Sequence, residues 1–134
     1  IEVQGAPEGK LKGLTVDMKD FSDQTMTLAA MAPYADGIVR IENIGHIRLQ
    51  ESDRIHAIAT ELSRLGIRCD EEQDAVTVYP GEPKPAVVQT YDDHRMAMAF
   101  ALIGLRTEGI EIADPMCCRK TFETYFEVLD RLCR

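Results

Sequence analysis

Two arginines in this chain each follow a short acidic run and each open a stretch of apolar residues. The first run is Gln50-Glu51-Ser52-Asp53-Arg54, ahead of Ile55, Ile58, Ala59, Leu62 and Leu65. The second is Tyr91-Asp92-Asp93-His94-Arg95, ahead of Met96-Ala97-Met98-Ala99-Phe100. Helix N-terminal amides favour negative groups, so a polar cluster at a helix entrance marks a place for an anion. Acids in a first turn need no function, since they complement the helix dipole by about 0.3–1 kcal/mol. That bland account covers Asp53, and Asp93 as an N-cap. It leaves the arginines unexplained. The dipole disfavours a cation in the first turn, so each guanidinium calls for an external anion or a carboxylate partner. Two rigidly held arginines can clamp a phosphate or carboxylate bidentately. In catalysis such a clamp counts only where charge grows in the transition state.

Other residues join this pair only if the fold brings them there. Asp23 lies between a short strand and a helix, and Lys120 just before the last helix. Each taken singly reads as a surface charge, though Lys120 can deliver a movable charge to the same anion. His94 taken alone is more often structural than catalytic. Met26, Met96 and Met98 read as core fill rather than ligands. There is no metal-ligand constellation, no P-loop and no dinucleotide glycine fingerprint.

The elements that must position these side chains follow from periodicity and punctuation. Residues 14–17 read as a strand, and 26–35 as a helix capped by Ser22 or Asp23 and shortened or kinked by Pro33. Gly37 is a stop, and 38–44 a strand. Residues 52–65 form the clearest helix, with Gly66 at its C′ position. Two short strands, 67–70 and 75–79, flank an acidic turn. Residues 81–91, with Pro83 and Pro85, read as a loop. A helix buried on all sides spans 94–105, a strand 109–113 and a last helix 121–132, whose Phe122, Tyr125, Phe126, Leu129 and Leu132 form an inward stripe. The order is β-α-β-α-β-β and then α-β-α, with helices packed on one face of a mixed sheet, an α/β (α+β) class. Two similar halves are faintly visible, each a strand, a polar loop and a charged helix entrance.

A chain of 134 residues is one domain by length, and 45% hydrophobic with 28% charged residues reads as globular. The net charge of -8 and the lack of any basic stripe argue against nucleic acid or an anionic membrane as partner. An anionic ligand must bind against the global field, through a few concentrated cations. The four cysteines form no CxxC pair, and vicinal Cys117-Cys118 suits an ordinary disulfide poorly, so a reducing cytoplasm is expected. No signal peptide or transmembrane run is present. The opening at Ile1, without methionine, reads as the middle of something longer.

Three ordered motifs carry a specific resemblance. Gln50-Glu51-Ser52-Asp53-Arg54, Asp92-Asp93-His94-Arg95-Met96-Ala97-Met98 and Asp114-Pro115-Met116-Cys117-Cys118-Arg119-Lys120-Thr121-Phe122 are similar to the C-terminal part of the EPSP synthases, the 3-phosphoshikimate 1-carboxyvinyltransferases. The resemblance runs from about Leu14 to Leu132 and includes Asp23-Gln24-Thr25-Met26-Thr27. It implies a two-domain enzyme, each domain built of three βαβαββ units, with the active site in the cleft between domains. Residues 1–134 would then be a fragment of one domain, roughly one such unit plus its closing α-β-α.

The implied reaction moves the enolpyruvyl group of phosphoenolpyruvate onto the 5-hydroxyl of shikimate 3-phosphate, by addition and elimination, without metal or organic cofactor. By resemblance, Asp23 would hold the ring hydroxyls and help deprotonate the attacking one, and Glu51 would exchange a proton with the methylene carbon. Arg54 and Arg95 would clamp the anion, Lys120 would complete its site and His94 would line it. The family commonly has lysine where this chain has Gln50, so the grip on the shikimate-side substrate is expected to differ. Further substrate-binding residues of the family fall in segments absent here, so the chain alone is expected to fold without turning over. Two alternatives stand beside this. The UDP-N-acetylglucosamine enolpyruvyl transferases share the fold but usually lack these runs, and a non-catalytic anion-binding module is the other.

Overall fold

β1 (Leu14–Asp17) and β2 (Val39–Glu42) lie parallel in the computed structural model, which describes residues 1–134. The crossover between them is α1 (Thr25–Met31). α2 (Arg54–Arg64) follows, then the hairpin β3 (Cys69–Glu71) and β4 (Val76–Val78). β4 pairs antiparallel with both β2 and β3, which gives a four-stranded mixed sheet in the order β1-β2-β4-β3. The expected β-α-β-α-β-β order is present. A second parallel pair, β5 (Ala86–Val88) and β6 (Ile110–Ile112), is joined by α3 (His94–Ala101). The chain closes with α4 (Arg119–Phe122) and α5 (Tyr125–Cys133). No helix is long and apolar enough to cross a membrane.

The core lies between the sheets and the first three helices. Ile55, Ile58 and Leu62 of α2, and Leu65 at its C-cap, are all fully buried, as the spacing requires. The end of α2 is a complete Schellman motif. The Ile67 amide donates to the Leu62 carbonyl and the Gly66 amide to the Ser63 carbonyl, with Gly66 at φ +78°. α1 packs against α3. Their buried alanines, among them Ala29, Ala30, Ala97 and Ala99, let two backbones approach closely, while Met26, Met96 and Phe100 fill the space around them.

The two similar halves expected from the sequence, with the Arg54 and Arg95 entrances as counterparts, are not the halves of the fold: α3 is the crossover of its parallel pair, as α1 is, and α2 follows its pair instead. The backbone does repeat, in two parts with other bounds. Each has a parallel βαβ pair, then a left-handed residue (Asn43 at φ 58°, Asp114 at φ 45°), then a 3-10 turn (Gly45–Leu49 and Pro115–Cys118).

Four further expectations need correction. Neither Ser22 nor Asp23 caps α1, whose N-cap Gln24 makes no side-chain bond. Ser22 Oγ is taken by His46 Nε2 at 2.7 Å, and the Asp23 carboxylate by two arginines. Residues 81–91 are not all loop: β5 starts after Pro85, so both prolines fall outside the ladder. The buried helix ends at Ala101 and tightens into a 3-10 turn through Leu105. The last helix breaks at residues 123–124, and its apolar stripe is not buried, with Phe122 42% and Leu132 79% exposed. Phe122, Tyr125 and Phe126 stack edge-to-face on one another instead, and the Tyr125 hydroxyl donates to the Met98 carbonyl at 2.8 Å. Pro33 does shorten α1, which ends at Met31 and runs out as a 3-10 turn to Tyr34.

One close approach fixes the entry to the parallel pair. A Cβ on Gly13 would sit 2.6 Å from the Gly37 carbonyl carbon, whereas one on Gly37 meets nothing nearer than 3.5 Å. Gly13→Ala is therefore expected to cost about 1–3 kcal/mol through overpacking, and Gly37→Ala far less. Urea unfolding of the two variants decides; equal midpoints would refute the close approach.

Candidate active site

Arg54 is the first residue of α2, and its side chain is 1% exposed. Two devices fix where that helix begins. Asp53 caps it by accepting the His56 amide at 3.0 Å. Arg48 holds Asp53 at 3.0 Å and also binds Glu71 and the carbonyls of Glu72 and Gln73, which staples the loop to the β3–β4 hairpin. Across the core, Asp93 caps α3 by accepting the Arg95 amide at 3.0 Å. Asp93 is fully buried and takes Arg54 Nε at 2.7 Å and Nη2 at 3.2 Å. Ser52 Oγ donates to the same carboxylate at 2.9 Å. One bidentate pair thus locks together the starts of the two arginine-bearing helices.

The remaining Arg54 donors point outward. Nη2 meets Glu51 at 2.8 Å, and Nη1 meets Asp23 at 3.4 Å and the Gln50 side-chain oxygen. All five N–H groups are used. The expectation of Arg54 as an open clamp is corrected accordingly: every donor is held by an internal acceptor. The three outward partners are exposed, however, and only the Asp93 contact is sealed from water.

Asp23 bridges to the second arginine, with Oδ2 2.9 Å from Arg95 Nη2. Arg95 is 31% exposed and lines a depression of about 210 Å3 with Asp23, Gln24, Thr27, Met98 and Tyr125. Complete small-molecule sites commonly enclose about 300–1,000 Å3, so this is the volume of one wall rather than of a whole site. A larger apolar groove near Met31 and Leu105 gathers no carboxylate and shares only Leu102 with it.

Asp23, Gln50, Glu51, Arg54 and Arg95 therefore come together in contact from three segments. Lys120 does not join them. It is exposed, enters no ion pair, and lines a separate hollow with Asp92, Asp114 and Arg119. His94 is half-buried and lends its carbonyl to the Cys118 thiol at 3.8 Å. All four cysteines are free, and burial pushes the Cys118 thiol up to about 12. Reading the sequence alone missed Ser52 and Arg48. Neither residue type predicts its role, which only the pairing of distant loops creates.

Burial would raise the Asp93 carboxyl, but hydrogen bonds from Arg54 and Ser52, the Arg54 charge and the Arg95 amide outweigh it. The result is a value below the ordinary aspartate one. The unfolded chain then takes up this proton first. The stabilisation is complete above the unfolded aspartate range near about pH 4, and fades as pH falls through the lower native value. Asp93→Asn, which strands a buried guanidinium, is expected to lose about 3–5 kcal/mol at pH 7 and progressively less as pH falls below about 4. Urea midpoints at pH 7 and below about pH 4 test this; a loss that is independent of pH would show that the carboxylate charge is not the cause.

A family model described as EPSP synthase (3-phosphoshikimate 1-carboxyvinyltransferase) matches residues 1–129. The Halalkalibacterium halodurans protein named 3-phosphoshikimate 1-carboxyvinyltransferase 2 is 48% identical over 134 residues, covering 98% of this chain and 30% of the relative. The Nostoc punctiforme 3-phosphoshikimate 1-carboxyvinyltransferase is 50% identical over 125 residues, 93% of this chain and 29% of its own length. An EPSP synthase structure from Acinetobacter baumannii superposes with a TM-score of 0.84 at 28% identity, over 91% of this chain and 30% of that one. The chain thus spans about 30% of the length of the curated relatives it matches. With the fold, the motifs and the matched span in agreement, this chain belongs to the EPSP synthase family.

Proposed function

We propose that this chain forms part of one domain of a two-domain enzyme, and one wall of its cleft. The enzyme transfers the enolpyruvyl group of phosphoenolpyruvate to the 5-hydroxyl of shikimate 3-phosphate and releases phosphate. The observation that carries this reading is the cluster of Asp23, Glu51, Arg54 and Arg95, drawn from three segments into mutual contact beside an open depression.

The roles are those the family resemblance implies, and the contacts of Arg54, Asp23, Glu51 and Arg95 are consistent with them. Arg54 keeps its buried edge on Asp93 and offers its outer edge to the substrate anion, which displaces Glu51, Gln50 and Asp23. Arg95 exchanges Asp23 for the same anion. Asp23, released from both arginines, takes the proton of the 5-hydroxyl as its oxygen bonds to C2 of phosphoenolpyruvate. Glu51, which takes up a proton once the anion has displaced it from Arg54, delivers that proton to the methylene carbon, giving a tetrahedral adduct. Elimination reverses that proton transfer: a methyl proton returns to Glu51, the C2–phosphate oxygen bond breaks, and phosphate departs with the proton that Asp23 took from the hydroxyl. Lys120 swings in from its hollow as the cleft closes, and His94 lines the phosphate side. Desolvation on closing strengthens every charged contact.

The test is steady-state phosphate release by the full-length enzyme with both substrates. Turnover is expected within the usual range of about 1–10³ s⁻¹, and none from the 134-residue chain alone. Glu51→Gln should lower kcat by about 10²–10⁴-fold. Arg95→Ala should raise KM for phosphoenolpyruvate. Tight binding of shikimate 3-phosphate without phosphate release, or its replacement by UDP-N-acetylglucosamine as acceptor, would sink the assignment.

A further inference from the structure

α2 carries a second buried charge that the reaction above does not use. Glu61 is fully buried, two helical turns beyond Arg54 on the same face. A carboxylate is seldom buried this completely unless something holds it there. Oε1 accepts the Tyr91 hydroxyl at 2.7 Å, and Oε2 accepts the Gln89 amide at 3.0 Å and Arg64 Nε at 3.1 Å. Two of these three donors belong to the turn that leads into α3.

That turn is strained. Tyr91 at φ 57° and Asp92 at φ 52° are consecutive left-handed residues, and neither is glycine. The Asp93 amide closes the turn onto the Thr90 carbonyl at 2.9 Å. α2 grips the turn at both ends, Arg54 holding Asp93 beyond it and Glu61 holding Gln89 before it and Tyr91 within it. A peptide with two unfavourable dihedral pairs relaxes unless both ends are fixed. Relaxation here would move Asp93, and with it the start of α3 and the Arg95 side chain.

We infer that Glu61 is a positioning residue, which through Tyr91 and Gln89 holds the strained turn that sets Arg95 in register with Arg54. The inference rests on the proposed function, in which Arg95 receives the anion. It assigns no contact between Glu61 and substrate. Glu61→Gln keeps the shape but loses charge, and its amide N–H can face the Tyr91 hydroxyl only if its single oxygen serves both Gln89 and Arg64. Tyr91→Phe removes one anchor and leaves the other two.

The experiment uses the full-length enzyme with Glu61→Gln, Tyr91→Phe and the double variant. Each single change is expected to raise KM for phosphoenolpyruvate about tenfold, close to the 1.4 kcal/mol of one hydrogen bond. KM for shikimate 3-phosphate should stay within about twofold, and the double variant should fall short of the product of the singles. General destabilisation would lower the active fraction and leave both KM values alone. Hydrogen exchange supplies a readout free of substrate: the Asp93 and Arg95 amides should exchange faster in both single variants, with Ala29 and Ala30 in α1 unchanged. Wild-type turnover with an unaltered KM in Tyr91→Phe overturns this inference and spares the function. Absence of wild-type turnover overturns the function, and the exchange rates at Asp93 and Arg95 then decide whether Glu61 holds the turn.

Discussion

The fold and the candidate site both depend on the Arg54–Asp93 pair. Transferring two such ions from water is costly, and the desolvation cost can exceed their mutual attraction. The pair survives because neither ion has an unmet bond: Asp93 also accepts from Ser52 and the Arg95 amide, and Arg54 uses every donor. It also lies at a seam. Arg54 begins the helix packed on the four-stranded sheet, and Asp93 begins the helix of the second parallel pair. No disulfide spans this seam, since all four cysteines are free. Apolar contacts between α1, α2 and α3 hold the halves together but are indifferent to small rotations. A two-pronged hydrogen-bonded pair is not, so it sets the phase of one helix start against the other.

That choice explains why the site can be rigid and still open. The Arg54 guanidinium is anchored on its inner edge by an acid that water cannot reach, while its outer edge rests on side chains that water can. A cation built this way is oriented before any ligand arrives, so little reorganisation remains for the reaction itself. Arg95 has the complementary design. Its backbone is fixed by the Asp93 cap, but its side chain is partly exposed and its guanidinium tied only to Asp23.

How much of this was legible in the sequence depended on range. Spacing within α2 and the Gly66 stop gave that helix almost residue for residue, because its signals are local and its apolar stripe is unbroken. β5 was hidden by the prolines just before it, and the strand exists only through its pairing with β6, over 20 residues away. The capping of α1 failed for a related reason. Ser22 and Asp23 are good caps by type, but His46, Arg54 and Arg95 claim them from elsewhere in the fold. At the site, residue types named the arginines and acids that meet there. They did not show that the acids would occupy the arginines, nor that Lys120 would stand apart, since both depend on where loops of different elements meet.

The occupied arginines bear directly on how an anion can bind a protein of net charge -8. Two arginines face three carboxylates, Asp23, Glu51 and Asp93, so the cluster offers no surplus of positive charge. An incoming dianion cannot simply be added to it. It must replace Asp23 and Glu51 on the arginines, and these are the two acids that the proposed reaction needs free of them, Asp23 as the base and Glu51 as the group that gives and then takes back a proton. In the proposed reaction, binding and activation then become one exchange: the substrate takes the cations, and the acids are released beside it. Gln50 fits this arrangement, because its amide oxygen can hold Arg54 in the resting state and yield it without leaving another uncompensated carboxylate. A lysine there would add a cation but could not accept a bond from Arg54.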